Sequence, residues 1–169
     1  SLMYRSILVP VDGSKLAERA LSIAIPLAEQ HGARLVLLHV HESSTVMGIV
    51  AAGVPVIDPG ADEKMSADAR SYVDRLTKRT RKLTTAPVEG VFRAGAVIST
   101  IVAYAAESGA GLIVLSTHGR GGFQRLWLGS VADALLRQEP VPVLLVRGAR
   151  PLAKRLLGAP PFVRAIVPV

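Results

Sequence analysis

The chain is 169 residues long, enough for one domain with a substantial core, and its lack of cysteine excludes disulfides, thiol catalysis and zinc sites built on thiolates. We find no apolar run of about 18 residues and no charged-then-apolar leader, so we expect neither a membrane span nor a signal peptide and place the protein in the cytoplasm. The net charge of +7 would suit nucleic acid, but aromatic residues for base stacking make up only 4% of the chain, so we expect a solvated basic face or an acidic partner surface instead.

The first quarter of the chain predicts a strand, a helix and a second strand. Ser6 to Val11 (SILVPV) is an apolar run of strand length. Asp12-Gly13-Ser14 then turns into a helix that Ser14 can cap, that Pro26 should kink and that Gly32 should end. Arg34 to Val40 (RLVLLHV) is the second buried strand.

Two histidines flank Val40, the last residue of the predicted second strand. His39 and His41 are two residues apart, and we expect at most one of them to face the core. Two residues at this spacing are weak support for a metal site, and we predict none.

The middle of the chain predicts a long loop followed by a helix, a strand and another helix. Residues 42 to 61 are rich in Gly, Ser, Pro and Val, and their apolar content favours a lid or an interface segment. Apolar periodicity predicts a helix from about 62 to 84, whose basic last turns complement the helix dipole. Val88 to Phe92 is the third strand, and a helix opened by Gly95 is closed by Gly109.

The segment that organises the chain begins with Leu112 to Leu115, a run typical of a strand buried on both faces. A glycine-bearing basic loop leads from it to Gly129 and Ser130, where Ser130 and Asp133 form a capping box at a helix N-terminus. Free N–H groups and the helix dipole at such an end favour an anion, and Gly129 permits close approach. This segment therefore predicts a phosphate site. A last strand follows at Val141 to Val146.

The alternation of five strands with four helices predicts a parallel sheet with right-handed crossovers, a doubly wound α/β domain. Ligands of such folds bind outside the carboxyl ends of the strands, where the strand order reverses.

The spacing of Gly119, then Arg120 to Leu128, then Gly129-Ser130 resembles the nucleotide-binding signature G-x-x-G-x9-G-[ST] of the universal stress protein family. The first glycine of that signature is Ser116 here. The resemblance extends over residues 5 to 147. It implies the strand order 3-2-1-4-5 of the adenine nucleotide alpha hydrolase-like fold, with strands one and four side by side at the ligand crevice.

The resemblance also implies a site for ATP, ADP or AMP, with magnesium carried by the nucleotide. The residues implied to bind it share the carboxyl ends of the strands and the glycine loop, and they are Pro10, Val11, Asp12, Val40, Ser116, His118, Gly119, Arg120, Gly129, Ser130 and Val131. Asp12 is the expected acceptor for a ribose hydroxyl or an adenine amino group, although it could instead only cap the helix.

The last residues repeat the first strand, since Val163 to Val169 (VRAIVPV) matches Arg5 to Val11 (RSILVPV). We therefore expect residues 3–147 to form the nucleotide-binding domain, 148–162 a linker, and 163–169 the truncated first strand of a second similar domain, as in a tandem universal stress protein. This strand could fold back, pair with another chain or stay mobile. The family's habit is to form a dimer through the last strand, a place that a second tandem domain can take.

We find no nucleophile, base and orienting group together, so we predict a regulatory or signalling module of the stress response with no catalytic residues and at most slow ATP hydrolysis. One alternative is a dimeric scaffold of the same fold that has lost nucleotide binding, for which Ser116 is the sequence argument. A second is a slow ATP hydrolase or another nucleotide-processing enzyme.

Overall fold

A computed structural model of the chain describes residues 4–43, 59–117, 141–147 and 163–166. Six strands are seen in these parts: β1 Ser6–Pro10, β2 Arg34–His41, β3 Val88–Ala94, β4 Leu112–Thr117, β5 Val143–Arg147 and β6 Val163–Ile166. The helices seen there are α1 Lys15–Glu18, α2 Leu21–His31, α3 Pro59–Arg81 and α4 Val97–Ser108.

The six strands form one sheet in the order β3-β2-β1-β4-β5-β6. Strands β1 to β5 pair with one another in parallel, so the predicted five-stranded order 3-2-1-4-5 is confirmed. The order reverses between β1 and β4, which pair through Ile7 with Leu112 and Leu8 with Ile113. The carboxyl ends of these two strands therefore meet at the centre of the sheet, where a doubly wound fold places its ligand.

The sixth strand is the only antiparallel neighbour among those that the structure describes. Val163–Ile166 runs back along β5 and pairs Val163 with Val146 and Ile166 with Val143. The segment that repeats the sequence of β1 thus folds back onto its own domain, and β5 is not a free edge.

The first predicted helix is divided into two. It ends as α1 at Glu18 and resumes as α2 at Leu21, and α2 continues through Pro26 to the left-handed cap at Gly32. The N–H groups of Arg19 and Ala20 bond the carbonyl groups three residues earlier, at 3.0 and 3.1 Å, which tightens the chain between the two helices. The helix is thus divided between Glu18 and Leu21, a break that the sequence did not predict, whereas Pro26, the predicted site of a kink, lies inside α2. The predicted end of α4 at Gly109, also left-handed, is confirmed.

Two apolar cores lie on opposite faces of the sheet, because successive strand residues point to opposite sides. Helix α2 covers one face together with Leu76 of α3, and Ile101 and Tyr104 of α4 lie on the other. The inner strands are buried on both faces, which explains their continuous apolar sequences.

The basic last turns of α3 make specific internal contacts. Arg79 pairs with the Glu18 carboxylate, and the Arg81 guanidinium donates two hydrogen bonds, at 3.1 and 2.9 Å, to the carbonyl oxygen of Val88. Two of the basic side chains of α3 therefore connect this helix to α1 and β3. None of the described helices is long and apolar enough to cross a membrane.

Candidate functional site

A small cavity opens at the carboxyl ends of β1, β2 and β4, where the strand order reverses. Its volume is about 30 Å³. Its walls come from these strand ends and from α1 and α4, through Pro10, Val11, Asp12, Ala17, Leu38, Val40, Val97, Ile101, Leu115 and Ser116. All five residues that the sequence implied for this end of the sheet, Pro10, Val11, Asp12, Val40 and Ser116, are among them.

The chain leaving β1 is held to β2 through both backbone groups of one residue, Val11. The Val11 N–H donates to the carbonyl oxygen of Leu38 at 2.8 Å. The Val11 carbonyl oxygen accepts a hydrogen bond of 2.9 Å from Nδ1 of His39, which fixes the proton on Nδ1 because a carbonyl can only accept. These two bonds hold the chain beside β2 for one residue beyond the end of β1 at Pro10, and they thereby set the position of Asp12.

Asp12 begins a tight turn into α1. Its Oδ1 accepts the backbone N–H of Ser14 at 2.9 Å, and Gly13 between them has φ of +88°, a conformation that favours glycine. Ser14 caps α1 as predicted, since its Oγ accepts the N–H of Ala17 at 3.1 Å. The Asp12 side chain thus has a structural task through Oδ1 while it also lines the cavity, so both sequence interpretations of Asp12 are compatible with its position.

Ser116 lies near the carboxyl end of β4, across the strand reversal from Asp12, which follows β1. The residue is 2% exposed, and its Oγ has no hydrogen-bond partner among the described residues. An unpaired buried hydroxyl is unfavourable, so a polar group that enters the cavity would gain a partner there.

His39 belongs to an aromatic layer on the α3 side of the sheet. Its ring stacks on Phe92 at 6.2 Å between centroids and meets the edge of Tyr72 at 6.0 Å. Burial lowers the pKa of His39 below its ordinary value, against the raising effects of the Val11 carbonyl and the Asp12 carboxylate. His39 is therefore a neutral support of the site near neutral pH.

The expectation that at most one of the two histidines faces the core was wrong. His41 also stacks on Phe92, at 6.2 Å, and its Nε2 lies 3.2 Å from Oδ1 of Asp62 in α3. Residues two apart on a strand point to the same side, and this periodicity could have identified the layer from the sequence. In the parts of the chain that the structure describes, no three His, Asp or Glu side chains come together as a metal site.

The phosphate half of the predicted site lies outside the described residues. This applies to the helix predicted from Ser130 and to six implied ligand residues: His118, Gly119, Arg120, Gly129, Ser130 and Val131. Most of the loop predicted at 42–61 lies there too. Of the residues that the resemblance implied around the triphosphate, the described chain includes Ser116 alone, so the geometry bears mainly on the base and sugar end of the site.

The cavity is apolar on the α4 side and polar near α1. Leu38, Val40, Val97, Ile101 and Leu115 form the apolar walls, whereas Asp12 and Ser116 contribute polar side chains. A volume of about 30 Å³ holds roughly two water molecules, so a purine ring could enter only if these walls separate or if it lies across the mouth.

Comparison with known proteins gives consistent matches over most of the chain. The model of the universal stress protein family matches residues 3–147. Universal stress protein YxiE of Bacillus subtilis is 31% identical over 150 residues, which cover 86% of this chain and 100% of the relative.

Solved structures match the fold over a similar range. The universal stress protein UspA from Lactobacillus plantarum has a TM-score of 0.68 and 28% identity, covering 85% of this chain and 98% of its own. A universal stress protein from Archaeoglobus fulgidus, solved in complex with dAMP, shares the fold with a TM-score of 0.58 and 23% identity, over 85% of this chain and 98% of that chain.

Proposed function

The chain belongs to the universal stress protein family, and on that premise we propose that it binds ATP, or ADP or AMP, as a cytoplasmic regulatory module of the stress response. Magnesium would enter with the triphosphate. The output of the module is the bound state, with little or no turnover of the nucleotide.

One observation carries this proposal: residues implied separately at the ends of three strands line a single cavity at the strand reversal. Pro10, Val11 and Asp12 reach it from β1, Val40 from β2 and Ser116 from β4. An apolar slot with a few polar groups is what a nucleoside requires, because the base is buried and the sugar is hydrogen-bonded. The phosphates would extend towards the glycine loop and the helix predicted from Ser130.

The described chemistry supports binding in preference to turnover. Among the described residues, the two histidines nearest the sheet's carboxyl edge are engaged, His39 with the Val11 carbonyl and His41 with Asp62. The Asp12 carboxylate accepts the Ser14 N–H and would accept from a ribose hydroxyl. This leaves no assembled nucleophile and base beside the cavity in that part of the chain.

Native mass spectrometry with and without Mg·ATP tests the proposal directly. We expect one ATP per chain on the wild type and none on Gly129→Val, whose side chain would close the predicted phosphate site. Equal ATP loading of the two proteins would disprove the phosphate site. Release of ADP or AMP at roughly 1 per second or faster would show that the protein is an enzyme and would disprove the binding-module proposal.

A second candidate is a scaffold of the same fold that does not bind nucleotide. The small volume of the cavity favours it, because about 30 Å³ does not admit a purine without movement of the walls. A wild-type chain that stays unliganded at every ATP concentration would support this candidate.

We also propose that residues 163–169 are the first strand of a second similar domain, joined through a linker at 148–162. The repeat of RSILVPV as VRAIVPV supports this assignment. In this chain β6 lies along β5, the strand through which a second copy or a second domain would pair. Partner pairing and β6 pairing would then compete for one edge.

A further inference from the structure

Buried hydroxyls without a partner are few in the described chain, and one of them lies at the cavity. The four are those of Ser6, Thr77, Ser108 and Ser116, and only Ser116 is a wall residue of the cavity. The Thr77 hydroxyl, by contrast, is covered by Gly90 of β3. Ser116 is therefore the one whose missing partner a ligand can supply.

The surroundings of Ser116 restrict the chemistry of that ligand group. Asp12 is the other polar side chain among the described residues of the cavity wall, and its Oδ1 already accepts the Ser14 N–H. Its carboxylate charge repels a phosphate oxygen and attracts a donor. A neutral hydroxyl suits the position between the two, because it can donate to the carboxylate and still accept from Ser116.

Two adjacent hydroxyls of a sugar fit the Asp12 carboxylate and the Ser116 hydroxyl better than a single hydroxyl does. One hydroxyl of the pair can donate to Asp12, while the other exchanges a hydrogen bond with the Ser116 Oγ. The apolar walls formed by Val40, Val97 and Leu115 would contact the base of the same nucleoside.

We propose that the Ser116 hydroxyl is a specificity-determining group that hydrogen-bonds a ribose hydroxyl of the bound adenine nucleotide beside Asp12. This inference rests on the proposed nucleotide site and assigns a function to the serine that replaces the signature glycine. The side chain that departs from the family pattern thereby adds recognition of the sugar. A neutral hydrogen bond of this kind corresponds to about a three- to tenfold change in affinity.

Calorimetric titration with AMP, 2′-deoxy-AMP and 3′-deoxy-AMP tests the assignment on the wild type and Ser116→Ala. We expect the wild type to bind at least one deoxy analogue about three- to tenfold more weakly than AMP. In Ser116→Ala, AMP affinity should fall by the same factor and discrimination against the analogue that lacks the hydroxyl at Ser116 should disappear, whereas discrimination against the analogue that lacks the hydroxyl at Asp12 should remain. Ser108→Ala, which removes a buried unpaired hydroxyl away from the cavity, should titrate like the wild type.

The possible failures are distinguishable. Ser116→Ala that keeps the wild-type discrimination against both deoxy analogues, or that weakens all three ligands equally, would overturn the contact with the sugar. Tighter AMP binding by Ser116→Gly would show that the side chain obstructs the site. A wild type that binds none of the three ligands would overturn the nucleotide site itself.

Thermal unfolding without nucleotide separates binding from folding. Removing a buried unpaired hydroxyl should leave Ser116→Ala at least as stable as the wild type. If Ser116→Ala is as stable as the wild type yet binds AMP more weakly, the loss of affinity is due to the missing ligand contact. If Ser116→Ala does not fold, both the thermal unfolding and the AMP titration will show it. If Ser116→Ala is unfolded, Ser116→Gly with unchanged AMP affinity and unchanged discrimination overturns the assignment.

Discussion

The Nδ1–H of His39 donates to the carbonyl oxygen of Val11 over 2.9 Å and so joins the ends of β2 and β1 directly beneath the candidate site. The peptide between Val11 and Asp12 is thereby fixed by a side chain that does not line the cavity. The geometry of the ligand site depends on the protonation and packing of this histidine.

The lowered pKa of His39 predicts a pH-dependent stability. The unfolded chain takes up a proton near the ordinary value of 6.5, whereas the folded chain takes it up only at lower pH. The unfolded state therefore binds more protons in this window, and the contribution of His39 is fully present above about pH 7 and is lost as the pH falls through 6.5 towards the folded value. The free energy of unfolding in urea, measured from pH 8 to pH 5, should show this decrease.

His39→Asn isolates this contribution, because the asparagine amide can still donate to Val11 and does not titrate. The difference between the wild-type and His39→Asn curves should grow on the acid side of pH 6.5, with the wild type losing more stability. Ser108→Ala serves as a control that leaves every titrating group in place. Parallel curves for the wild type and His39→Asn would contradict the lowered pKa.

Asp12→Asn removes the negative charge of this side chain and keeps its hydrogen bond in the turn, so it tests the two contributions of Asp12 separately. Asparagine retains the oxygen that accepts the Ser14 N–H, so the thermal stability should stay close to that of the wild type. Hydrogen bonds to a charged group contribute about 1.5–3 kcal/mol, so AMP and ATP should bind roughly ten- to a hundredfold more weakly in calorimetry. Glu107→Gln removes one exposed carboxylate far from the cavity wall and is the matched control. Wild-type affinity in Asp12→Asn would remove Asp12 from the ligand site.

The parts of the fold that the sequence predicted best are those specified by local apolar pattern. The strands at Arg34–His41 and Leu112–Thr117 are buried on both faces, and their continuous apolar runs identified them within two residues at each end. The family resemblance then supplied the strand order, which local pattern does not contain.

Features set by tertiary contacts could not be predicted in the same way. The hydrogen bond from His39 to Val11 requires the register of β2 beside β1, and the pairing of Val163–Ile166 with β5 joins segments separated by the intervening chain. The division between α1 and α2 arises from three-residue hydrogen bonds at Arg19 and Ala20, which leave the apolar periodicity unchanged. The strand order predicted that Asp12 and Ser116 would lie at one cavity. That the Ser116 hydroxyl has no partner is visible only in the structure.

Gly90 of β3 is a position where a methyl group should be costly. A Cβ there would overlap the Thr77 Oγ1 and would lie 2.9 Å from Val73 Cγ1, so α3 would have to move away from β3. Gly90→Ala should lower the free energy of unfolding by about 1–3 kcal/mol, the usual cost of overpacking. Chemical denaturation measures this loss.

Thr77→Ala provides the matched partner for that substitution, because it removes the hydroxyl that the new methyl group would meet. The double variant should recover part of the stability lost in Gly90→Ala, a positive coupling in a double-mutant cycle. Additive losses in the cycle would show that the close approach of Gly90 and Thr77 does not limit packing here.

Deleting residues 163–169 should convert β5 from a covered strand into an open edge. In the full chain β6 pairs with Val143–Val146, and the deletion leaves those backbone groups without their partner strand. An open apolar edge recruits another strand, and two copies of β5 can pair antiparallel about a twofold axis, as a symmetric dimer requires. Light scattering after size exclusion, over a concentration series, should therefore show more dimer for the deletion variant than for the full chain. Deleting residues 167–169 alone retains β6 and is the matched control, which should resemble the full chain. Equal dimer content in all three proteins would show that β6 does not compete with a second copy for this edge, whereas dimer restricted to the longer deletion would establish the competition.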